Sequence, residues 1–340
     1  MIRYAHIGLP KCGSTWLQTR YFPDHPQFLH LGKFATPRNL PFWLRKLFFS
    51  DLIETSRYHF DKTEYRTLLD QYTRQAEVEQ KKAIGISIEL ATLQILGRVD
   101  LDERAQRIVD FMGKDTRIIF LIREQRSWLT SLYCTLLKEA GLTVSFADWC
   151  HYVTYERDYG IYVNMLYDCI YQSYADRVGK ENVLVLKFED FAESTQAAIN
   201  LISEFLDVSH IEESDSSTVH KKADPETLGA MLALNRKWQY ALSRNRLERI
   251  GGHRLKEWYT DICKIEIPEH IDKDARRHSI MYSDPDNVKA LALAECGPSE
   301  PVDLTIPKSI ATELNSMLAP HNRRFENLTG LKLEAGSYAL

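Results

Sequence analysis

The sequence predicts an α/β fold: a central, mainly parallel β-sheet flanked by helices, with helical insertions. Three observations carry that reading. Apolar runs of strand length alternate with stretches of helical pattern. The first run leads directly into a glycine-bearing loop and a helix. With 340 residues, 44% hydrophobic and 26% charged, the chain can bury a sizeable core and has the balance of a globular protein. No internal repeat or low-complexity tract interrupts it, so residues 1–340 are read as one domain.

The first predicted strand is the run Tyr4 to Leu9, followed by a helix from about Gly13 to Arg20. The second is Ala83 to Glu89. A helical pattern over Leu101 to Met112 precedes the third strand, Arg117 to Ile122, and another helix follows over Gln125 to Ala140. The fourth strand, Val183 to Phe188, leads into a helix over Thr195 to Leu206. Two helical insertions lie between these elements. One, about 31–82, is aromatic and basic and includes PFWLRKLFF from Pro41; the other, about 145–178, is rich in tyrosine. The part from about 225 to 330 is mainly helical, with helix as far as about Ile262, a loop at CGPSEP from Cys296 and a last helix over Lys308 to Leu318.

A net charge of −4 argues against a dedicated nucleic-acid binder but leaves room for a local basic pocket. No apolar run is long enough to span a membrane. The N-terminus has no charged-then-apolar leader pattern, so the expected location is cytoplasmic. Six scattered cysteines (Cys12, Cys134, Cys150, Cys169, Cys263, Cys296) without a C-x-x-C pair fit reduced thiols better than a disulfide framework or a zinc site.

The first loop carries the clearest chemistry. Gly8-Leu-Pro-Lys-Cys-Gly-Ser-Thr15 nearly spells the phosphate-binding pattern G-x-x-x-x-G-K-[ST], so the fold is read as P-loop-like. Strand, glycine loop and helix start together make an anion site: free N–H groups and the helix dipole point at the ligand. Gly13 lets the backbone approach a phosphate, and Ser14 and Thr15 can add hydroxyl donors. An ATP or GTP site would place its lysine at position 14. Here the charge sits at Lys11, which suits a ligand with one phosphate and one terminal group to be transferred. The same positive field is expected to lower the pKa of the Cys12 thiol and make it open to alkylation, with bound nucleotide protecting it.

Pro10-Lys-Cys-Gly-Ser-Thr-Trp16 resembles PKxG[TS]TW, the 5′-phosphosulfate loop of the sulfotransferases that use 3′-phosphoadenosine 5′-phosphosulfate (PAPS) and release 3′,5′-adenosine bisphosphate (PAP). A second likeness supports it. The family pattern R-x-P-x-x-x-x-x-S-x-Y is matched by Arg123, Ser131 and Tyr133, with Gln125 in place of the proline. The resemblance implies that Lys11, Cys12, Gly13, Ser14, Thr15 and Trp16 hold the phosphosulfate, and that Arg123 and Ser131 hold the 3′-phosphate. A planar guanidinium can grip a phosphate bidentately; the structural alternative for Arg123 is a salt bridge at a strand end. Softer likenesses are LKFEDF (Leu186 to Phe191), Ala319-Pro-His-Asn322 and Asn327-Leu-Thr-Gly330.

Sulfonate transfer needs the acceptor hydroxyl deprotonated and the leaving phosphate neutralised. On the family analogy Lys11 does the second, without a metal. The KTH-like histidine of cytosolic sulfotransferases is absent, whereas carbohydrate and tyrosylprotein sulfotransferases use a glutamate. Period-2 alternation puts Gly85, Ser87 and Glu89 on one strand face, with Glu89 at the carboxyl end where α/β sheets bind ligands. Glu89 is therefore the expected base with Ser87 beside it. His30 could line the acceptor site, and His6 reads as core.

The expected function is a PAPS-dependent sulfotransferase acting on a hydroxyl of a carbohydrate or polyhydroxylated small molecule, closer to carbohydrate and bacterial types than to aryl or steroid types. The first rival is a nucleoside-triphosphate kinase, for which LKFED offers Glu189 and Asp190 to hold magnesium. The second is a non-catalytic nucleotide-binding protein. His220-Lys221-Lys222 reads as a solvated loop or a cover for the nucleotide, PFWLRKLFF as a packed amphipathic helix or an acceptor-side lid, and Tyr152, Tyr155, Tyr159 and Tyr162 as a ring-stacking or core group.

Overall fold

The computed structural model describes residues 1–33, 42–94, 99–158, 160–212, 223–237, 284–334 and 337–340. Its centre is a sheet of β1 (Ile2–His6), β2 (Phe28–Lys33), β3 (Ala83–Ser87), β4 (Arg117–Ile122) and β5 (Val183–Lys187). The order is β2-β3-β1-β4-β5, and every pairing is parallel. All of β3 and all of β4 but Arg117 are buried, as expected of strands covered on both faces.

This order makes β1 and β4 neighbours whose outgoing connections diverge. The chain leaving β1 goes to β2 at one edge, and the chain leaving β4 goes to β5 at the other. A crevice opens where they part, beyond the carboxyl ends of the two strands.

The chain divides into two compact units. The first comprises Met1–Trp128, Glu156–Val219 and Glu313–Leu340 and holds all five strands. Helix α1 opens at Ser14–Trp16, continues as a π-helical stretch Leu17–Tyr21 and closes at Phe22–Asp24. After α2 (Phe42–Lys46), α3 (Lys62–Val78) packs on β3 and on α4 (Leu101–Met112). Asp61 and Asp100 cap α3 and α4 by accepting from first-turn amides, the role that makes Asp favourable there. Helix α5 (Gln125–Thr135) follows β4 and runs on as a π-helical stretch, Leu136–Ala140. Two more, α6 (Phe146–Tyr155) and α7 (Tyr167–Val178), precede β5; α7 packs on α4, β4 and β5. β5 leads into α8 (Phe188–Glu193) and α9 (Thr195–Phe205).

The second unit comprises Leu129–Tyr155 and His220–Thr312. In it α10 (Pro225–Lys237) packs against α11 (Pro285–Cys296). Its aromatic cluster has the rings of Phe146 and Trp149 at 5.1 and 5.5 Å from Tyr133. The last helix is α12 (Lys308–Thr329). Within the first unit the fully buried carboxylate of Asp168 on α7 faces His321 Nδ1 at 3.0 Å and Arg324 at 3.2 Å on α12. Removing either partner would expose a buried charge, which makes this tie costly to break.

Several elements differ from expectation. β2 lies in FLHLGK, where His30 and Gly32 interrupt the apolar pattern. The stretches 31–82 and 145–178 are not simply insertions, because α3 and α7 cover the sheet itself. β1 starts and stops earlier than Tyr4 to Leu9; residues beyond it still run beside β4, with Ile7 N–H donating to Ile119 O and Leu9 N–H to Leu121 O. α12 continues past Leu318 through Pro320, so Ala319-Pro-His-Asn322 is helical. From Phe42 on, PFWLRKLFF behaves as a packed amphipathic helix, with Trp43, Leu44, Leu47 and Phe48 buried and Arg45 and Lys46 exposed. Tyr152 and Tyr155 are exposed, while Tyr162 is buried. Tyr159, residues 34–41, His220-Lys221-Lys222 and the part after Lys237 of the helical stretch expected to reach about Ile262 lie outside the described residues. No described helix is long and apolar enough to cross a membrane.

His6 is a core residue, as expected. It is fully buried, its Nδ1 pairs with Ser87 Oγ at 2.6 Å, and burial pulls its pKa down to about 3. The unfolded chain therefore binds a proton that the folded chain refuses, and stability rises with pH between about 3 and 6.5. From about pH 7.5 to about pH 5.5 this group should cost about 1.4 kcal/mol. Denaturant unfolding of the wild type and His6→Gln at both pH values should show the variant losing less by that amount. Equal losses would mean that His6 is not held neutral.

Candidate active site

The loop after β1 is fastened by its carbonyls. Leu9 O accepts from Ser14 Oγ at 3.2 Å, Pro10 O from Trp128 Nε1 at 2.9 Å, and Lys11 O from Arg123 Nη1 at 2.9 Å. With the carbonyls turned onto the protein, Lys11 is forced into the left-handed region at φ 68°, an uncommon state for a residue with a Cβ. Gly13 follows at φ 83°, and a Cβ there would lie 2.9 Å from the Phe191 ring, so both backbone and space demand glycine. Among the described residues the N–H groups of Gly13, Ser14 and Thr15 meet no acceptor. They are the donors that a helix start leaves open. Lys11 is half-buried and makes no ion pair among the described residues.

Arg123 stands across from this loop at the end of β4. Its Nε and Nη2 donate to Ser127 Oγ at 3.1 and 2.8 Å, its Nη1 to Lys11 O, and its guanidinium lies 4.5 Å from the centre of the Phe188 ring. All these partners are neutral, and among the described residues Arg123 makes no ion pair. Ser127 is one turn nearer to Arg123 than Ser131, and sequence reasoning missed it; the signal was a second serine four residues from the arginine, on the same helix face. Ser131 is half-buried two turns along α5 and belongs to the second compact unit.

Gln125, where the family pattern has proline, is buried and starts α5. Its amide pairs with that of Asn322, with 2.6 Å from Gln125 Nε2 to Asn322 Oδ1. Glu124 caps the helix by accepting from Arg126 and Ser127 N–H. The turn that proline would stiffen is thus held by hydrogen bonds.

Glu89 does not end a strand. β3 stops at Ser87, Ile88 stays extended, and Glu89 opens a 3₁₀ turn, Glu89–Ala91, half-buried. That turn is bound to the end of β1: Ile88 N–H donates to His6 O and Thr92 Oγ1 to Ile7 O, at 2.8 and 2.9 Å. Arg104, fully buried on α4, clamps its far side by donating to the carbonyls of Leu90, Leu93 and Val99. Desolvation lowers the Arg104 pKa to about 10, still a cation at neutral pH. Ser87 is a structural residue, since its hydroxyl is buried between His6 and Gln18. His30 pairs through Nδ1 with the Tyr4 hydroxyl at 2.9 Å and stacks on Phe22, so it joins an aromatic layer beside the sheet.

The electrostatics of Cys12 show which groups converge. Lys11, Arg123, Glu89 and Glu189 all act on its thiol. Trp16 closes the loop edge-on to Phe191, with ring centres 5.8 Å apart, and Thr15 is half-buried. Lys11, the open amides and Arg123 therefore lie together beyond β1 and β4, joined by the bond from Arg123 Nη1 to Lys11 O, and Glu89 follows the end of β3.

The model of the sulfotransferase domain family matches residues 6–225, about two-thirds of the chain. The chain belongs to the sulfotransferase family. The match takes in the loop after β1, Glu89, Arg123 and Ser131, while the likenesses in α12 lie beyond it. Among solved structures, the sulfotransferase from Alicyclobacillus acidocaldarius is similar at 22% identity, covering 73% of this chain and 96% of that one, with a TM-score of 0.47. No curated protein matches the chain.

The expectation of a reactive Cys12 is corrected. The thiol is fully buried, and desolvation raises its pKa well above the ordinary value; Arg123 and Lys11 pull it down, but Glu89 and Glu189 push it up. Mass-spectrometric mapping after brief iodoacetamide treatment of the folded sulfotransferase should find exposed Cys296 labelled long before Cys12. Early labelling of Cys12 would show an open loop and a thiolate.

Proposed function

We propose that this sulfotransferase transfers the sulfonate group of PAPS to an acceptor hydroxyl by in-line displacement, with Glu89 as general base. The observation that carries the reading is Arg123: a half-buried guanidinium at the divergence of β1 and β4, bonded among the described residues only to neutral acceptors. Such a cation suits a second phosphate on the nucleotide, distinct from the one in the loop. The residues present fit a donor with two anionic ends.

In this reading the amides of Gly13, Ser14 and Thr15 and the ammonium of Lys11 bind the 5′ end, with Cys12 and Trp16 completing the loop wall. Lys11 supplies positive charge where the leaving phosphate becomes more negative, and donors already in place cost little reorganisation. Ser14 Oγ points to Leu9 O, so its backbone amide is the better donor. Arg123 holds the 3′-phosphate with Ser127 steadying its fork; Ser131 is a further candidate from the family pattern. Glu89 takes the proton of the acceptor, which we read as a carbohydrate or polyhydroxylated small molecule. The buried Arg104 clamp keeps its turn from drifting.

The kinase rival loses support from Glu189 and Asp190. Both Glu189 oxygens accept hydrogen bonds from the protein, and Asp190 pairs with Lys187 at 3.3 Å.

Calorimetric titration with PAP, set against ATP with magnesium, tests the donor reading. PAP should bind at micromolar levels and ATP weakly. Arg123→Ala should weaken PAP roughly 10- to 100-fold, the scale of a lost hydrogen bond to a charged group. Glu89→Gln should bind PAP unchanged yet lose roughly 10²–10⁴ in transfer rate once an acceptor is in hand. Tight ATP–magnesium binding with no preference for a 3′-phosphate would put the kinase first.

A further inference from the structure

The position of Arg123 is set by its main chain as much as by its side chain. Its carbonyl accepts from the Tyr167 hydroxyl at 2.5 Å. The next amide, Glu124 N–H, donates to Glu189 Oε1 at 2.9 Å, and Glu189 Oε2 accepts from the Tyr338 hydroxyl at 3.0 Å. Phe188, the neighbour of Glu189 on α8, lies beneath the guanidinium. Both the peptide after Arg123 and the platform under its charge are thus referred to the first turn of α8.

We propose that Glu189 and Tyr338 are positioning residues for anion recognition by Arg123. The inference rests on the reading that Arg123 takes the 3′-phosphate. The physical reason is the geometry of a carboxylate with two jobs. Glu189 holds the Glu124 amide best while its other oxygen is satisfied, because a half-buried, half-paired carboxylate turns toward whatever donor or water it can find. Tyr338 supplies that donor from a 2% exposed position. The segment carrying it is pinned on either side of the tyrosine: Arg126 Nη2 donates to Ser337 O at 2.6 Å and Asn322 Nδ2 to Ala339 O at 2.7 Å. Burial first, then the neighbouring Tyr167 and Glu189, hold the Tyr338 proton more firmly than usual, so the phenol remains a donor across the working pH range. Losing it frees the peptide that follows Arg123, and a small angular error at the strand end is magnified at the tip of the long side chain.

The experiment separates this role from general stabilisation by using two ligands that differ only in the 3′-phosphate. Full-length wild type, Tyr338→Phe, Glu189→Ala and Glu189→Gln are titrated calorimetrically with PAP and with adenosine 5′-monophosphate, and thermal midpoints are recorded. Tyr338→Phe should weaken PAP roughly three- to tenfold, the scale of one net hydrogen bond, and leave the monophosphate within about twofold. Glu189→Ala should do the same, and Glu189→Gln, which keeps an oxygen for Glu124 N–H, should restore most of the preference. In an Arg123→Ala background Tyr338→Phe should change nothing further. Equal weakening of both ligands, or an unchanged preference in Tyr338→Phe and Glu189→Ala, would overturn the inference while leaving the donor reading intact. A wild type that does not prefer PAP would overturn both, and that arm is read before any variant.

Discussion

One hydrogen bond organises the site: Arg123 Nη1 to the carbonyl of Lys11. It ties the end of β4 to the loop after β1, the two places where the sheet's connections part. It also turns the Lys11 carbonyl away from the crevice, leaving Lys11 in its left-handed state and the amides of Gly13, Ser14 and Thr15 without acceptors. A positive residue at one strand end thereby prepares a row of donors at the other. Trp128 does the same to the carbonyl of Pro10 from α5, so the loop is held from both the strand and the helix that follows it. The strain in the loop is sustained by these anchors and gains a use only if an anion meets the amides.

The charge balance follows from the same arrangement. Arg123 bonds the loop that carries Lys11 and Cys12, so both cations act on the thiol, and Glu89 and Glu189 oppose them. A field reading alone makes Cys12 a thiolate. Desolvation reverses this, since an anion with no water and no direct donor is more costly than the distant cations can offset. The Arg123 fork, by contrast, finds three hydrogen bonds and an aromatic face. Among the described residues it makes no ion pair with a carboxylate.

Local pattern made much of the framework legible. β4 (Arg117–Ile122) and α4 (Leu101–Met112) fall where periodicity put them, while the glycine loop stood out by spacing and residue type and Arg123 by its likeness to a family pattern. What stayed hidden depends on distant contacts. β2 is an edge strand whose His30 and Gly32 blur its pattern, and its pairing with β3 is seen only in space. The end of β3 at Ser87 is set by the bonds that Ile88 and Thr92 make to β1, none of them local. Ser127 was hidden in plain view, since a family spacing drew attention to Ser131. Arg104 looked like one charge among several on an amphipathic helix, yet it is fully buried among carbonyls.

The two halves of the site are built to different standards of rigidity. On the donor side, loop, strand end and helix start are bonded to one another, so both ends of a nucleotide would be judged against a fixed frame. Glu89 sits on a short turn whose own bonds to β1 are few, and Arg104 compensates from behind by gathering three carbonyls around one guanidinium. A neutral amide, with two donors, could not meet all three carbonyls, whereas the planar guanidinium fork can. The desolvation of Arg104 is the structural cost of holding the Glu89 turn in place, and if Glu89 is the base proposed above, its backbone position is fixed before an acceptor arrives.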